Sequence, residues 1–126
     1  MIPDLQEELT MSATIYGIKT CDTMKKAFRW LVSEGVDYRF HDYRVEGIDR
    51  ASVERWCAAV GWEKVLNKSS TTFRALPDAS KIDLDKRSAI DLMLAEPTMI
   101  KRPVLEACGR IEVGFKPERY AVLFKG

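Results

Sequence analysis

One histidine, three cysteines and no close cysteine pair leave this chain without the usual ligands of a structural metal site. Cys21, Cys57 and Cys108 are odd in number and far apart, so they do not read as a disulfide framework. In a reducing compartment they are expected to stay thiols. No apolar run approaches the ~20 residues that cross a bilayer. The opening residues, MIPDLQEELT, carry acidic side chains and no apolar stretch of the kind that a secretory signal needs, so the expected location is cytoplasmic. Neither sign of charge dominates: 20 basic side chains stand against 19 acidic ones. That balance leaves no electrostatic footprint for nucleic acid or for a membrane surface, although local clustering of charge is still open. Repeats, low-complexity stretches and linkers are missing as well.

What is present suffices for one domain. The chain has 126 residues, of which 46% are hydrophobic, enough for a core that needs no disulfide or metal. Residues 1–10 read as an N-terminal extension and are expected to be poorly ordered. Residues 11–126 read as a single domain, and nothing in them demands more than a monomer.

Residues 14–18 are β-prone and predict a first strand. The period then changes: Met24, Ala27, Phe28 and Leu31 recur at helical spacing, opposite Lys25, Lys26 and Arg29. Thr20 is placed to cap this helix, Asp22 suits its positive end, and Gly35 ends it. Residues 36–43 alternate, with Val36, Tyr38 and Phe40 on one side and Asp37, Arg39 and His41 on the other, which predicts a half-buried strand. His41 reads as a residue of the polar face and not as a general base. Asp49 caps a second helix with an apolar stripe of Val53, Trp56, Cys57 and Val60, closed by Gly61. Residues 62–84 are mixed and polar, and predict short helical turns with loops. Asp85 caps a third helix through Ala89, Ile90, Met93 and Leu94. Two short β-prone runs flank Cys108-Gly109, which predicts a hairpin. Pro117 opens a closing helix. The order β-α-β-α-α-β-β-α makes this an α/β chain.

Cys21 sits where a strand gives way to a helix. Backbone N–H groups there lack intrahelical partners and the dipole end is positive; both favour thiolate, which is the nucleophilic form. Position alone leaves two readings, a reactive thiolate or an inert packed thiol. Lys19, Lys25 and Lys26 add positive potential nearby, and Asp22 opposes it. A dithiol reductase would carry a second cysteine at position 24, where this chain has Met24. A mixed disulfide on Cys21 would then need a distant cysteine or an external thiol such as glutathione to resolve it. Cys57 lies on an apolar stripe and reads as core. Cys108 lies at a hairpin tip, and would serve as resolving thiol only if that tip reached Cys21. Arg102, between a helix and a strand, can present its fork to an oxyanion or a carboxylate, or can be a plain surface arginine. Lys116, just before the last helix, has the same two readings.

Several spaced segments carry a resemblance: Tyr16-Gly17-Ile18-Lys19-Thr20-Cys21-Asp22-Thr23, Phe40-His41-Asp42-Tyr43-Arg44, Gly61-Trp62, Thr71-Thr72-Phe73-Arg74, Ile100-Lys101-Arg102-Pro103 and Gly114-Phe115. Together they resemble the arsenate reductase-related family, the ArsC/Spx/YffB group, and most closely its YffB-type branch. The resemblance covers residues 14–124. It implies a thioredoxin-like fold with a mixed four-stranded sheet and an inserted helical region. It also implies a nucleophilic cysteine at Cys21 and an active-site arginine, Arg102, before a cis-proline, Pro103.

The function this implies is that of a glutathione-dependent thiol reductase, an oxidoreductase with no bound cofactor. Glutathione is then the co-substrate, and glutaredoxin a partner of the arsenate enzymes' cycle. Arg102, Pro103, Lys116, Lys19 and Thr20 are the expected substrate or glutathione contacts. Departures from the arsenate pattern are specific. Gly17 stands where those enzymes carry a histidine, and Asn67 aligns with a second anion-binding arginine, with Lys68 and Arg74 nearby. Lys116 aligns with a third arginine, keeping the charge and losing the fork. Arsenate reduction is one alternative function. A Spx-like regulator that binds RNA polymerase is the other, though many of those proteins sense oxidation through a C-x-x-C pair that Met24 breaks here.

Overall fold

The computed structural model describes residues 13–125, so the expectation about residues 1–10 lies outside the described part. Two compact units can be described: the chain up to Glu46 together with the chain from Arg102 onward, and Gly47–Lys101. No shift in composition marks that division.

The first unit is built on four strands: β1 (Ala13–Gly17), β2 (Tyr38–Asp42), β3 (Val104–Ala107) and β4 (Arg110–Val113), in spatial order β2-β1-β3-β4. β1 pairs parallel with β2 and antiparallel with β3, and β3 pairs antiparallel with β4. A parallel pair needs a crossover, supplied here by helix α1 (Asp22–Ser33). α1 buries Met24, Ala27 and Leu31. They join Ala13 and Ile15 of β1, Leu105 and Ala107 of β3, and Tyr120 and Leu123 of the closing helix in one core. Trp30 meets Tyr120 edge-on at 5.5 Å, and Phe28 stacks on Tyr38 and meets Phe40 edge-on.

A βαβ half followed by a ββα half on one mixed sheet is a thioredoxin-like fold. The second strand is shorter than its alternation suggests. It stops at Asp42, and Tyr43 instead opens a single helical turn, α2 (Tyr43–Glu46). The hairpin forms as its dipeptide implies: Cys108 and Gly109 both take positive φ, 55° and 72°, the signature of a type I′ turn. The closing helix is the last of seven among the described residues, α7 (Pro117–Lys125), with proline at its first position.

The second unit holds the remaining helices. These are α3 (Arg50–Val60), α4 (Trp62–Val65), α5 (Thr71–Arg74) and α6 (Lys86–Ala95), with single 3-10 turns at Asp78–Ser80 and Pro97–Met99. Asp49 caps α3 through the Ser52 N–H, and Asp85 caps α6 in a reciprocal box with Ser88. Trp56, Val53, Val65, Met93 and Ile100 are fully buried. A bridge between Leu66 and Ile100 ties the segment after α4 to the end of this unit, reinforced by Lys101 N–H donating to the Val65 carbonyl at 2.8 Å.

Candidate active site

Sheet register gathers the site. Tyr16 lies opposite His41 of β2 and Val104 of β3, and Gly17 lies opposite Asp42. The chain leaves β1 toward Cys21, leaves β2 into Tyr43, and enters β3 from Arg102-Pro103, all at one end of the sheet. Val113 pairs with Val104, and the Gly114 N–H donates to the Pro103 carbonyl at 2.8 Å, so the approach to α7 through Lys116 begins at that end too.

Cys21 is the residue from which α1 starts, with extended backbone and its carbonyl accepting from the Lys25 N–H. Thr20, expected to cap the helix, instead stands one residue outside it, exposed in the turn. No conventional side-chain cap forms at Cys21. The sulfur nonetheless feels the free amides of that first turn. Its half-burial works against ionisation, but the Met24 N–H, the Arg102 guanidinium and the Thr23 N–H outweigh that cost, and the thiol titrates below its ordinary value of 9.0. These are the orphan amides of a helix start together with one fixed cation.

Lys19, Lys25 and Lys26 do not figure among the groups acting on the sulfur. All three are exposed, as is Lys116. Arg102 is half-buried, and the Arg102–Pro103 peptide is cis. Pro103 is buried beside Val104 at the start of β3.

Met24 fills the space a second thiol would need. It is fully buried, and a Cβ added at Gly17 would lie 2.7 Å from its Cε. Glycine at 17 and methionine at 24 therefore form a fitted pair, and a side chain at 17 has no room while Met24 stays where it is. His41 lies against the Tyr16 ring, 4.9 Å between centroids, with its Nδ1 3.7 Å from Glu46. Tyr16 donates to Glu106 at 2.9 Å.

The other thiols are set apart from this chemistry. Cys57 is buried on α3, and burial pushes its titration up. Cys108 is exposed at the hairpin tip, where Ala107 pairs with Ala13 at the start of β1. Cys21 follows the far end of that same strand, so the length of β1, about 13 Å at the usual rise per residue, separates the two ends. The tip does not come round to serve as a resolving thiol.

Sequence reasoning passed over Tyr43. Alternation assigned it to the end of a strand, whereas the structure turns it inward at the start of α2, where Arg102's charge reaches its hydroxyl. The one available signal was its place within the Phe40–Arg44 segment of the resemblance.

A sheet of this topology, with a depressed thiol at its first helix and an arginine before a cis-proline facing the sulfur, defines a thioredoxin-fold thiol protein. Comparison with known proteins narrows the class. The chain belongs to the ArsC family, which it matches over residues 16–123. It is 59% identical to the solved YFFB (PA3664) protein, at TM-score 0.87, covering 89% of this chain and 98% of that one. It is 54% identical to an arsenate reductase (ArsC) related protein from Brucella melitensis, at TM-score 0.72 and covering 93% and 98% of the two chains. The global transcriptional regulator Spx of Streptococcus pyogenes is 25% identical over 107 residues, 83% of this chain and 79% of its own. The family thus includes regulators as well as reductase-like proteins. None of the helices among the described residues is long and apolar enough to cross a membrane.

Proposed function

We propose that this chain is a glutathione-dependent thiol reductase with Cys21 as its only nucleophile. The observation that carries the reading is a thiol whose ionisation is favoured by Arg102 and two helix-start amides, with buried Met24 in place of a neighbouring thiol.

The Cys21 thiolate attacks one sulfur of a substrate disulfide. A bond forms between the two sulfurs, the substrate S–S bond breaks, and the other half leaves as a thiolate. Glutathione thiolate then attacks the substrate sulfur of the mixed disulfide. Cys21 departs as thiolate, and the product is a glutathione mixed disulfide. Each step exchanges one S–S bond for another, so electrons balance, and the net reductant is glutathione. Arg102 lowers the energy of Cys21 both as nucleophile and as leaving group, and receives the anionic end of substrate or glutathione. Lys116, Lys19 and Thr20 line the approach, and Pro103 forms the wall beside the sulfur.

Incubation with oxidised glutathione should give one adduct, located at Cys21 by mass spectrometry and absent from Cys21→Ser. An adduct at Cys57 or Cys108 that spares Cys21 overturns the reading. Arsenate turnover with glutathione and glutaredoxin supplied, or co-purification of RNA polymerase that survives Cys21→Ser, would favour the other branches of the family.

A further inference from the structure

The Tyr43 hydroxyl is an anomaly at the end of the sheet where this site lies. Its ring is 5% exposed, and its oxygen is buried with no hydrogen-bond partner among the described residues. A buried hydroxyl left without a partner costs stability, so a fold that keeps one has a use for it or fills it from outside. Its placement follows from the sheet: Asp42 pairs with Gly17, so the residue after β2 emerges at the end from which the chain runs on to Cys21. Arg102, next to the sulfur, comes in at the same end.

Two charged or polar groups act electrostatically on the phenol. The Arg102 cation favours its ionisation, while burial and the Tyr16 hydroxyl oppose it, and burial wins. The phenol therefore keeps its proton and is a donor. Tyr16 gives its own proton to Glu106. What the Tyr43 O–H lacks is an acceptor, and the feature beside it is a cation.

We propose that Tyr43 is a ligand-binding residue, donating its hydrogen bond to the carboxylate or other oxyanion that Arg102 receives next to the Cys21 sulfur. The pair forms a two-point anion seat, one fork and one neutral donor, that selects thiol and disulfide substrates bearing an anionic group close to the reacting sulfur. The identity of the substrate as a disulfide rests on the reductase reading; the anion seat does not.

The test compares wild type with Tyr43→Phe, which removes one oxygen and keeps the ring. Alkylation of Cys21 is followed by peptide mass spectrometry with iodoacetate, which carries a carboxylate, and with iodoacetamide, which is neutral. A hydrogen bond to a charged group is worth about tenfold or more, so the iodoacetate-to-iodoacetamide rate ratio should fall by about tenfold in Tyr43→Phe. The iodoacetamide rate should stay unchanged, and Tyr16→Phe should leave the ratio as it is. An unchanged ratio in Tyr43→Phe, as expected if a buried water fills the site, overturns the proposal. So does an equal fall with both reagents, which would mean that the hydroxyl acts on the thiolate and not on the ligand. In parallel, oxidised glutathione is compared with the neutral bis(2-hydroxyethyl) disulfide. A wild-type protein that reacts with neither disulfide at Cys21 sinks the reductase reading and leaves the alkylation result standing.

Discussion

Cys21 owes its character to neighbours that can be removed one at a time. The rate of its alkylation should rise with pH through a midpoint below that of an ordinary thiol, and Arg102→Gln should move that midpoint upward, because a cation facing the sulfur is lost. The sign for stability follows. Between the folded value and the ordinary 9.0, the unfolded chain binds more protons at this site than the folded one. Cys21 therefore adds stability that grows with pH, is complete above the ordinary value, and is lost as pH falls through the folded value. Denaturant titrations of wild type and Cys21→Ser should diverge as pH rises toward 9.0. Two tyrosines give a second contrast. Tyr16→Phe breaks the bond to Glu106 and should cost about 1 kcal/mol. Tyr120→Phe removes a buried hydroxyl with no hydrogen-bond partner among the described residues, on a ring between Trp30 and Phe115, and should be neutral or stabilising in a thermal melt.

Local chemistry made most elements legible before any coordinates. Asp49, Asp85, Gly61 and Pro117 stand where the caps and stops of helices stand, because the groups that satisfy orphan amides or forbid continuation are few and specific. Thr20 misled because the helix starts one residue later, from Cys21. Tyr43 misled because a period of two persists to the last residue of a strand and says nothing about the turn after it. Two predictions belong at this scale. Gly17→Ala drives a Cβ into Met24, and should cost about 1–3 kcal/mol, as overpacking does, with a smaller side chain at 24 recovering part of the loss on chemical denaturation. Cys108→Asn puts the preferred residue at a positive φ of 55° in the hairpin turn, and should gain about 0.5 kcal/mol in a thermal melt.

At the scale of the whole molecule, charge and topology matter more than pattern. With a net charge of +1, the molecule as a whole exerts little long-range pull on an anionic reactant. The rate at Cys21 with an anionic disulfide should therefore vary little with added salt, which stopped-flow measurements across ionic strength would check. Topology is also where the sequence was least informative. That the guanidinium of Arg102 meets a sulfur in the first quarter of the chain follows from Tyr16 pairing with Val104, a long-range register that no local spacing encodes. The resemblance to a family supplied it instead. That register also sets an order in time. Cys21 leaves the ribosome well before Arg102 is translated, and β1 lacks its antiparallel neighbour until then. On the nascent chain this cysteine lacks the Arg102 cation, and the full set of groups that favours its thiolate is assembled only when synthesis is nearly complete.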